Sequence, residues 1–161
     1  MQLKNQVEWA LHCCAILANL PEGHYLPTKD LAELHGVPKE YLSKALQALS
    51  SAGLVVATLG PTGGYRLAHA PDAISFLDIV EAVEGDRSMF VCTEIRRNNP
   101  CRPAKTKDQK KCAIARVMHA ADEAWRNHLR SVSLTDLQIM LNDDVDPAIW
   151  RATLEWITTR R

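Results

Sequence analysis

The sequence predicts a mainly α-helical chain with a small β-hairpin wing: a winged helix-turn-helix followed by a long dimerisation helix. Three observations predict it. Residues 28–52 read as two short helices joined by a tight Gly36-Val37 connection, and two β-rich runs flank a Gly60-Pro61-Thr62-Gly63-Gly64 tip. Further on, an apolar stripe continues over about five helical turns from Ile114 to Leu129.

The first helix is expected between Leu3 and Leu20, where Pro21 stops it. Val7, Ala10, Leu11, Cys14 and Leu17 follow the i, i+3, i+4, i+7 spacing of a helix with one buried face. At about 100° per residue, Asn5, Glu8, His12 and Asn19 fall away from that stripe. Glu8 and His12 are neighbours one turn apart that point outward, where they can meet something beyond their own core. Taken alone such a pair is an ordinary surface pair. Cys13 and Cys14 read as packing residues, and the other histidines (His24, His35, His69, His119 and His128) as solvated.

Thr28 is the expected N-cap of a helix to His35, and Pro38 suits the first turn of a helix to about Ala52. In the latter, Tyr41, Leu42, Ala45, Leu46 and Leu49 make an apolar stripe. Its opposite face carries Lys39, Glu40, Ser43, Lys44 and Gln47, side chains able to reach base edges and phosphates. An isolated helix with such a face is simply solvated; the hairpin behind it makes the combination a DNA reader. Gly53 ends the helix, and the runs LVVATL and GYRLA then form the wing. Glycines at its tip, Gly63 beside Thr62, let the backbone approach a sugar-phosphate chain where a Cβ would obstruct it.

A short helix from Ser75 to Val83, ending at Gly85, completes a DNA-binding domain over 1–85. A cysteine-bearing loop, 86–111, follows, with Pro100 and Pro103 opposing regular structure. The long helix begins near Cys112; Ile114, Val117, Met118, Ala121, Trp125 and Leu129 form its stripe, and Arg116, Asp122, Glu123 and Arg126 lie off it. A helix of this length with no evident partner in its own small domain predicts a homodimer, with 112–142 as the dimerisation helices. A helical extension over 143–161, with Trp150, Leu154 and Trp156, receives no role.

Composition limits the function. With 161 residues and 47% apolar content the chain can bury a core. No segment approaches the ~20 apolar residues that span a bilayer, so no membrane partner is expected and a cytoplasmic protein is. Five cysteines cannot all pair within the chain, and in a reducing compartment they favour metal or redox use. Net charge is zero, yet between Arg87 and Lys111 eight Lys/Arg face only Glu94 and Asp108. That basic surplus surrounds Cys92, Cys101 and Cys112, where cations stabilise thiolates, soft ligands for iron or zinc. Cys112 opens a helix beside Lys110 and Lys111, which further favours its thiolate. Neither a Gly-rich phosphate loop nor a nucleophile elbow is present, so an enzyme is not expected.

Taken together, VEWALHCC, LAELHGVPKEYLSKALQALSSAGLV, GPTGGYRL, FLDIVEAVEG, FVCTEIR and KKCAIARVM resemble the iron-sulfur winged-helix regulators of the IscR, NsrR and RsrR type, over about residues 1–142. The resemblance implies a homodimeric transcription factor that binds a double-stranded DNA operator, with each cluster touched by the first helix of the other subunit. Glu8 and His12 match ligand positions of the redox-sensing RsrR branch, where two cysteines, a glutamate and a histidine hold a 2Fe–2S cluster. It implies metal ligands Glu8, His12, Cys101 and Cys112, with Cys92 as a reserve ligand, and Glu40, Ser43 and Lys44 at base-reading positions. Eight residues separate Cys92 from Cys101 and ten separate Cys101 from Cys112, wider than in three-cysteine members.

The expected function is therefore a repressor or dual regulator whose operator affinity follows the redox state of the cluster. Two other readings stand beside it. The same DNA module could carry a nitric-oxide or iron-status sensing cluster, or the cysteines and one histidine could hold zinc in an interaction module, although their spacing lacks the close Cys-x-x-Cys pairs of ordinary zinc sites.

Overall fold

In the computed structural model, residues 2–60, 63–103 and 110–160 are described. Helices α1 (Asn5–Leu17), α2 (Thr28–His35) and α3 (Lys39–Ser51) lead into strands β1 (Val55–Thr58) and β2 (Gly64–Leu67). Helix α4 (Phe76–Glu84) follows, then the cysteine segment, then α5 (Ala113–Arg130), α6 (Leu134–Asp144) and α7 (Pro147–Thr159). The fold is mostly helical with one two-stranded antiparallel hairpin, as the sequence predicts.

The core gathers where the apolar stripes of α1, α3 and α4 meet. Ala10, Cys13 and Cys14 of α1, Leu42, Leu46 and Leu49 of α3, and Ile79 of α4 are almost wholly buried, with Leu26, Leu31 and Ile74 closing the gaps. Each buried Leu or Ile contributes about 1.5–3 kcal/mol relative to exposure. Helix α3 is therefore anchored by one stripe against α1, α2 and α4, which leaves its far side free.

Helix α1 is shorter than its periodicity suggests. After Leu17 the backbone tightens into i→i+3 bonds, Asn19 N–H to Ile16 O and Leu20 N–H to Leu17 O, while the Asn19 amide donates to Ala15 O at 2.8 Å. Thr28 is the first helical residue of α2 rather than its cap. Pro27 holds the cap position with extended backbone, and no side chain caps the helix. At Gly36 (φ 63°) the chain enters the left-handed region that closes α2 and turns into α3.

Val55 pairs with Leu67 and Thr58 with Gly64 in the wing, and Leu26 adds an isolated bridge to Tyr65 through two 3.0 Å backbone bonds. This close approach explains Gly64: a Cβ there would lie 2.5 Å from the Leu26 carbonyl carbon and oxygen. A second bridge, Ser75 to Ser133, sets the starts of α4 and α6 side by side. Both serines close capping boxes, with Asp78 and Asp136. Leu134 and Ile157 carry α6 and α7 into the same core.

Helix α5 leaves its apolar stripe without a partner among the described residues of its own chain, as the sequence suggests, and turns a charged face inward. It packs on α4, but the residues it buries are Ala115 and Asp122, whereas Ile114 is 66% and Val117 69% exposed and Met118 and Ala121 also face outward. Arg126, off the stripe in sequence, is nearly buried in an ion cluster with Glu81, Asp86 (2.8 Å) and Asp122 (3.4 Å). Trp125 and Leu129 are half-buried.

Candidate functional site

The far side of α3 presents Lys39, Glu40, Lys44 and Gln47 as exposed side chains, with Ser43 half-buried among them. The Ser43 hydroxyl donates to Lys39 O at 2.8 Å, so its oxygen remains free to accept. Tyr41 belongs to this surface, not to the core: it is 54% exposed, and the Lys44 ammonium sits 5.4 Å from its ring centroid. The sequence assignment erred because Tyr41 shares the stripe only with Ala45; one residue before Leu42, it rotates about 100° off the buried line.

At the wing, Gly63 is half-buried and its N–H donates to Gly60 O at 3.0 Å, while Thr62 lies outside the described residues. A Cβ at Gly63 would lie 2.3 Å from Thr58 O, so only glycine fits that turn. Beside it stands a cation that periodicity alone does not bring out. Arg66 Nε donates to the Tyr25 hydroxyl at 3.0 Å, with the guanidinium 5.4 Å from the Tyr25 ring centroid, so an exposed positive charge is held at the wing. Lysines, an arginine, amides and hydroxyls on one helix face and one hairpin can contact phosphates and base edges.

The thiols fall into two environments. Cys13 and Cys14 are fully buried, and desolvation pushes the Cys13 thiol up to about 12 and that of Cys14 further in the same direction. They are packing residues. Cys92 and Cys112 are half-exposed and Cys101 exposed, beyond a 3-10 turn at Ile95–Asn98. At the start of α5 the Ala115 N–H holds the Cys112 thiol below its ordinary range, against a smaller desolvation effect and helped by the Ile114 N–H, the Cys92 thiol and the Arg96 charge. Arg96 also donates to Glu94 (2.6 Å) and to Lys110 O (2.8 Å), tying the two ends of the loop together. Glu94 itself adopts left-handed backbone (φ 56°), uncommon for a residue with a Cβ. A hollow of about 660 Å³ opens here between Phe90, Cys92, Arg96, Asn99, Cys112 and Ile114. Lys105, Lys107 and Asp108 of the basic segment lie outside the described residues.

Glu8 and His12 stand exposed on α1, bordering an apolar groove of about 370 Å³ between α1, Phe76 and α6. The His12 ring lies 5.6 Å from that of His35 at the end of α2. His35 is not solvated as its spacing suggests. It is half-buried, its Nε2 is enclosed without a hydrogen-bond partner, and desolvation together with His12 lowers its pKa. Among the described residues no three His, Cys, Asp or Glu side chains gather closely enough to hold a metal ion within one chain.

Residues 3–139 match the Rrf2 family, described as iron-dependent transcriptional regulators. The chain belongs to the Rrf2 family. It is 34% identical over 109 residues to Protein rrf2 of Nitratidesulfovibrio vulgaris, covering 68% of each chain. It is 28% identical over 163 residues to the HTH-type transcriptional regulator NsrR of Shouchella clausii, covering 100% of both. Among solved structures it shares its fold with CymR (YrzC), the global cysteine regulator of B. subtilis, at TM-score 0.66 and 24% identity, covering 87% of this chain and 98% of that one. It also shares the fold of T. potens IscR, at TM-score 0.65 and 21% identity, covering 93% and 96%.

As an Rrf2 protein the chain is a DNA-binding transcription regulator and not an enzyme. No described helix is long and apolar enough to cross a membrane. The Rrf2 match takes in the winged helix, the cysteine segment and most of α6, and leaves α7 outside it.

Proposed function

We propose that this Rrf2 protein is a homodimeric regulator whose operator affinity follows the redox state of a 2Fe–2S cluster. Cys101 and Cys112 of one copy, with Glu8 and His12 of the other, would hold the cluster. What carries the reading is the outward apolar stripe of α5, Ile114, Val117 and Met118, which begins two residues after Cys112. A second copy covering that stripe also lies next to the thiols, and the exposed Glu8 and His12 find no complete site among the described residues of their own chain. The donor set fits: Cys112 is predisposed to ionise, His12 is an accessible imidazole and Glu8 an accessible carboxylate. When bound, such a cluster supplies a one-electron couple, and a carboxylate and an imidazole in place of two thiolates raise its potential.

The chain's own residues then carry the response. Helix α3 enters the major groove of two half-sites, with Glu40, Ser43 and Lys44 toward base edges, Lys39 and Gln47 toward the backbone, and Thr62 and Gly63 on the flanking minor groove. His12 touches His35 at the end of α2, so any displacement of α1 at the ligand site acts directly on the helix-turn-helix.

One observation favours a second reading. Cys92 and Cys112 line one hollow, and Cys92 helps to lower the Cys112 pKa, which suits a site of three loop thiolates that loses iron to nitric oxide or iron scarcity. Absorption spectra of anaerobically purified protein before and after dithionite test both readings. A visible band that bleaches and returns on reoxidation, and that survives Cys92→Ala but not Cys101→Ala or His12→Ala, supports the four-ligand redox site. A band lost in Cys92→Ala supports three thiolates, and colourless zinc protein ends both.

A further inference from the structure

The extension beyond the Rrf2 match is built into the DNA-reading unit. Ile157 of α7 is 1% exposed within the common core, and three residues later Arg160 reaches α2. Its Nη1 and Nη2 donate to Glu33 Oε2 (2.7 Å) and Oε1 (3.1 Å), a two-pronged grip, and Nη1 also lies 3.4 Å from Asp30 Oδ1. The guanidinium rests 3.7 Å from the Trp156 ring centroid, so the helix that carries it also aims it. Asp30 is buried, and a buried carboxylate without a partner is strongly unfavourable. Glu33 stands in the last turn of α2, and its carbonyl accepts the Gly36 N–H in the connection that sets the angle between α2 and α3.

We infer that α7 is a strap and that Arg160 is a positioning residue for DNA reading, fixing α2 and through it the presentation of α3. Its charge also partly offsets two acids on α2 that would otherwise oppose an approaching polyanion. The inference rests on α3 being the DNA-contacting helix, and its test separates the two ideas. The probe is the duplex that wild-type protein enriches from a randomised pool, with affinity read by fluorescence anisotropy and backbone mobility by amide hydrogen exchange.

Arg160→Gln is expected to speed exchange across residues 28–37 and to weaken duplex binding about tenfold, while α1 and α4 keep their protection. Arg160→Lys should recover part of the affinity, since it keeps the charge but not the fork. Unchanged α2 exchange, unchanged affinity, or exchange that rises equally in α1 and α4 would overturn the inference. Should Arg160→Gln fail to fold, Glu33→Gln removes the exposed partner and leaves Asp30 paired; a smaller rise in amide exchange across residues 28–37 supports the strap, and unchanged exchange there overturns it. If the wild type enriches no duplex, the DNA reading fails, and the exchange comparison decides the strap by itself.

Discussion

Helices α3 and α5 are both strongly amphipathic, yet they use their two faces in opposite ways. Helix α3 buries Leu42, Ala45, Leu46 and Leu49 in its own chain and offers charge to the outside. Helix α5 turns Asp122 and Arg126 inward and leaves Ile114, Val117 and Met118 uncovered. Inside, the charges meet partners: Met89 N–H donates to Asp122 Oδ2 at 3.2 Å and Arg126 Nη2 to Arg87 O at 3.0 Å, while the enclosed Asp122 Oδ1 has no hydrogen bond and faces Arg126 Nε at 3.4 Å. An apolar stripe therefore says that a face is to be covered, and leaves open which chain covers it. One half of this molecule covers its apolar stripe by itself; the other leaves Ile114, Val117 and Met118 uncovered, the face that the proposed dimer would bury.

The comparison breaks most visibly at the leucines. Leu46→Ala should cost about 2–5 kcal/mol in urea unfolding, whereas Val117→Ala should stay within about 0.5 kcal/mol in the dilute monomer. Equal losses would mean that α5 is buried in its own chain. Val117→Asp should leave the monomer folded and abolish the dimer in sedimentation, and a persistent dimer would place the interface elsewhere. In the wing, Gly64→Ala should cost about 1–3 kcal/mol, because its methyl meets the Leu26 backbone rather than a yielding side chain.

The thiols sharpen the same contrast through pH. A buried thiol with a raised pKa contributes its full stability below the unfolded value of 9.0, and that stability is lost as pH climbs toward about 12. Unfolding free energy should therefore fall over that window by about 1.4 kcal/mol per pH unit for each buried thiol, and Cys13→Ala should flatten the slope. Cys112 shifts the opposite way. In metal-free protein at neutral pH it should react with an alkylating reagent faster than a free thiol, while Cys13 and Cys14 stay inert in the folded state. Mass spectrometry of the labelled peptides decides this, and equal labelling would remove the distinction.

The smallest effect belongs to His35. Its depressed pKa supplies stability that is present above the ordinary value of 6.5 and lost as pH falls below it, because the unfolded chain takes up the proton first. His35→Phe should weaken this acid sensitivity in denaturation curves measured from pH 7 to 5.

Local pattern carried much of this protein: the helix-turn-helix, the wing with its glycine tip, the start of α5 at Cys112, and the separation of packing cysteines from loop cysteines were all legible in residue spacing. Each depends on periods of two or 3.6 residues or on turn chemistry, which neighbours along the chain determine. The tertiary structure alone decided the contacts between distant segments. Arg66 with Tyr25, Arg96 with Lys110, His12 with His35, and Arg160 with Asp30 and Glu33 join residues whose approach depends on how whole helices and strands pack. The inward charge of α5 is of the same kind. A helix pattern shows two faces, and only the ion partners waiting on α4 and the following turn, Glu81 and Asp86, made the charged one the inner face.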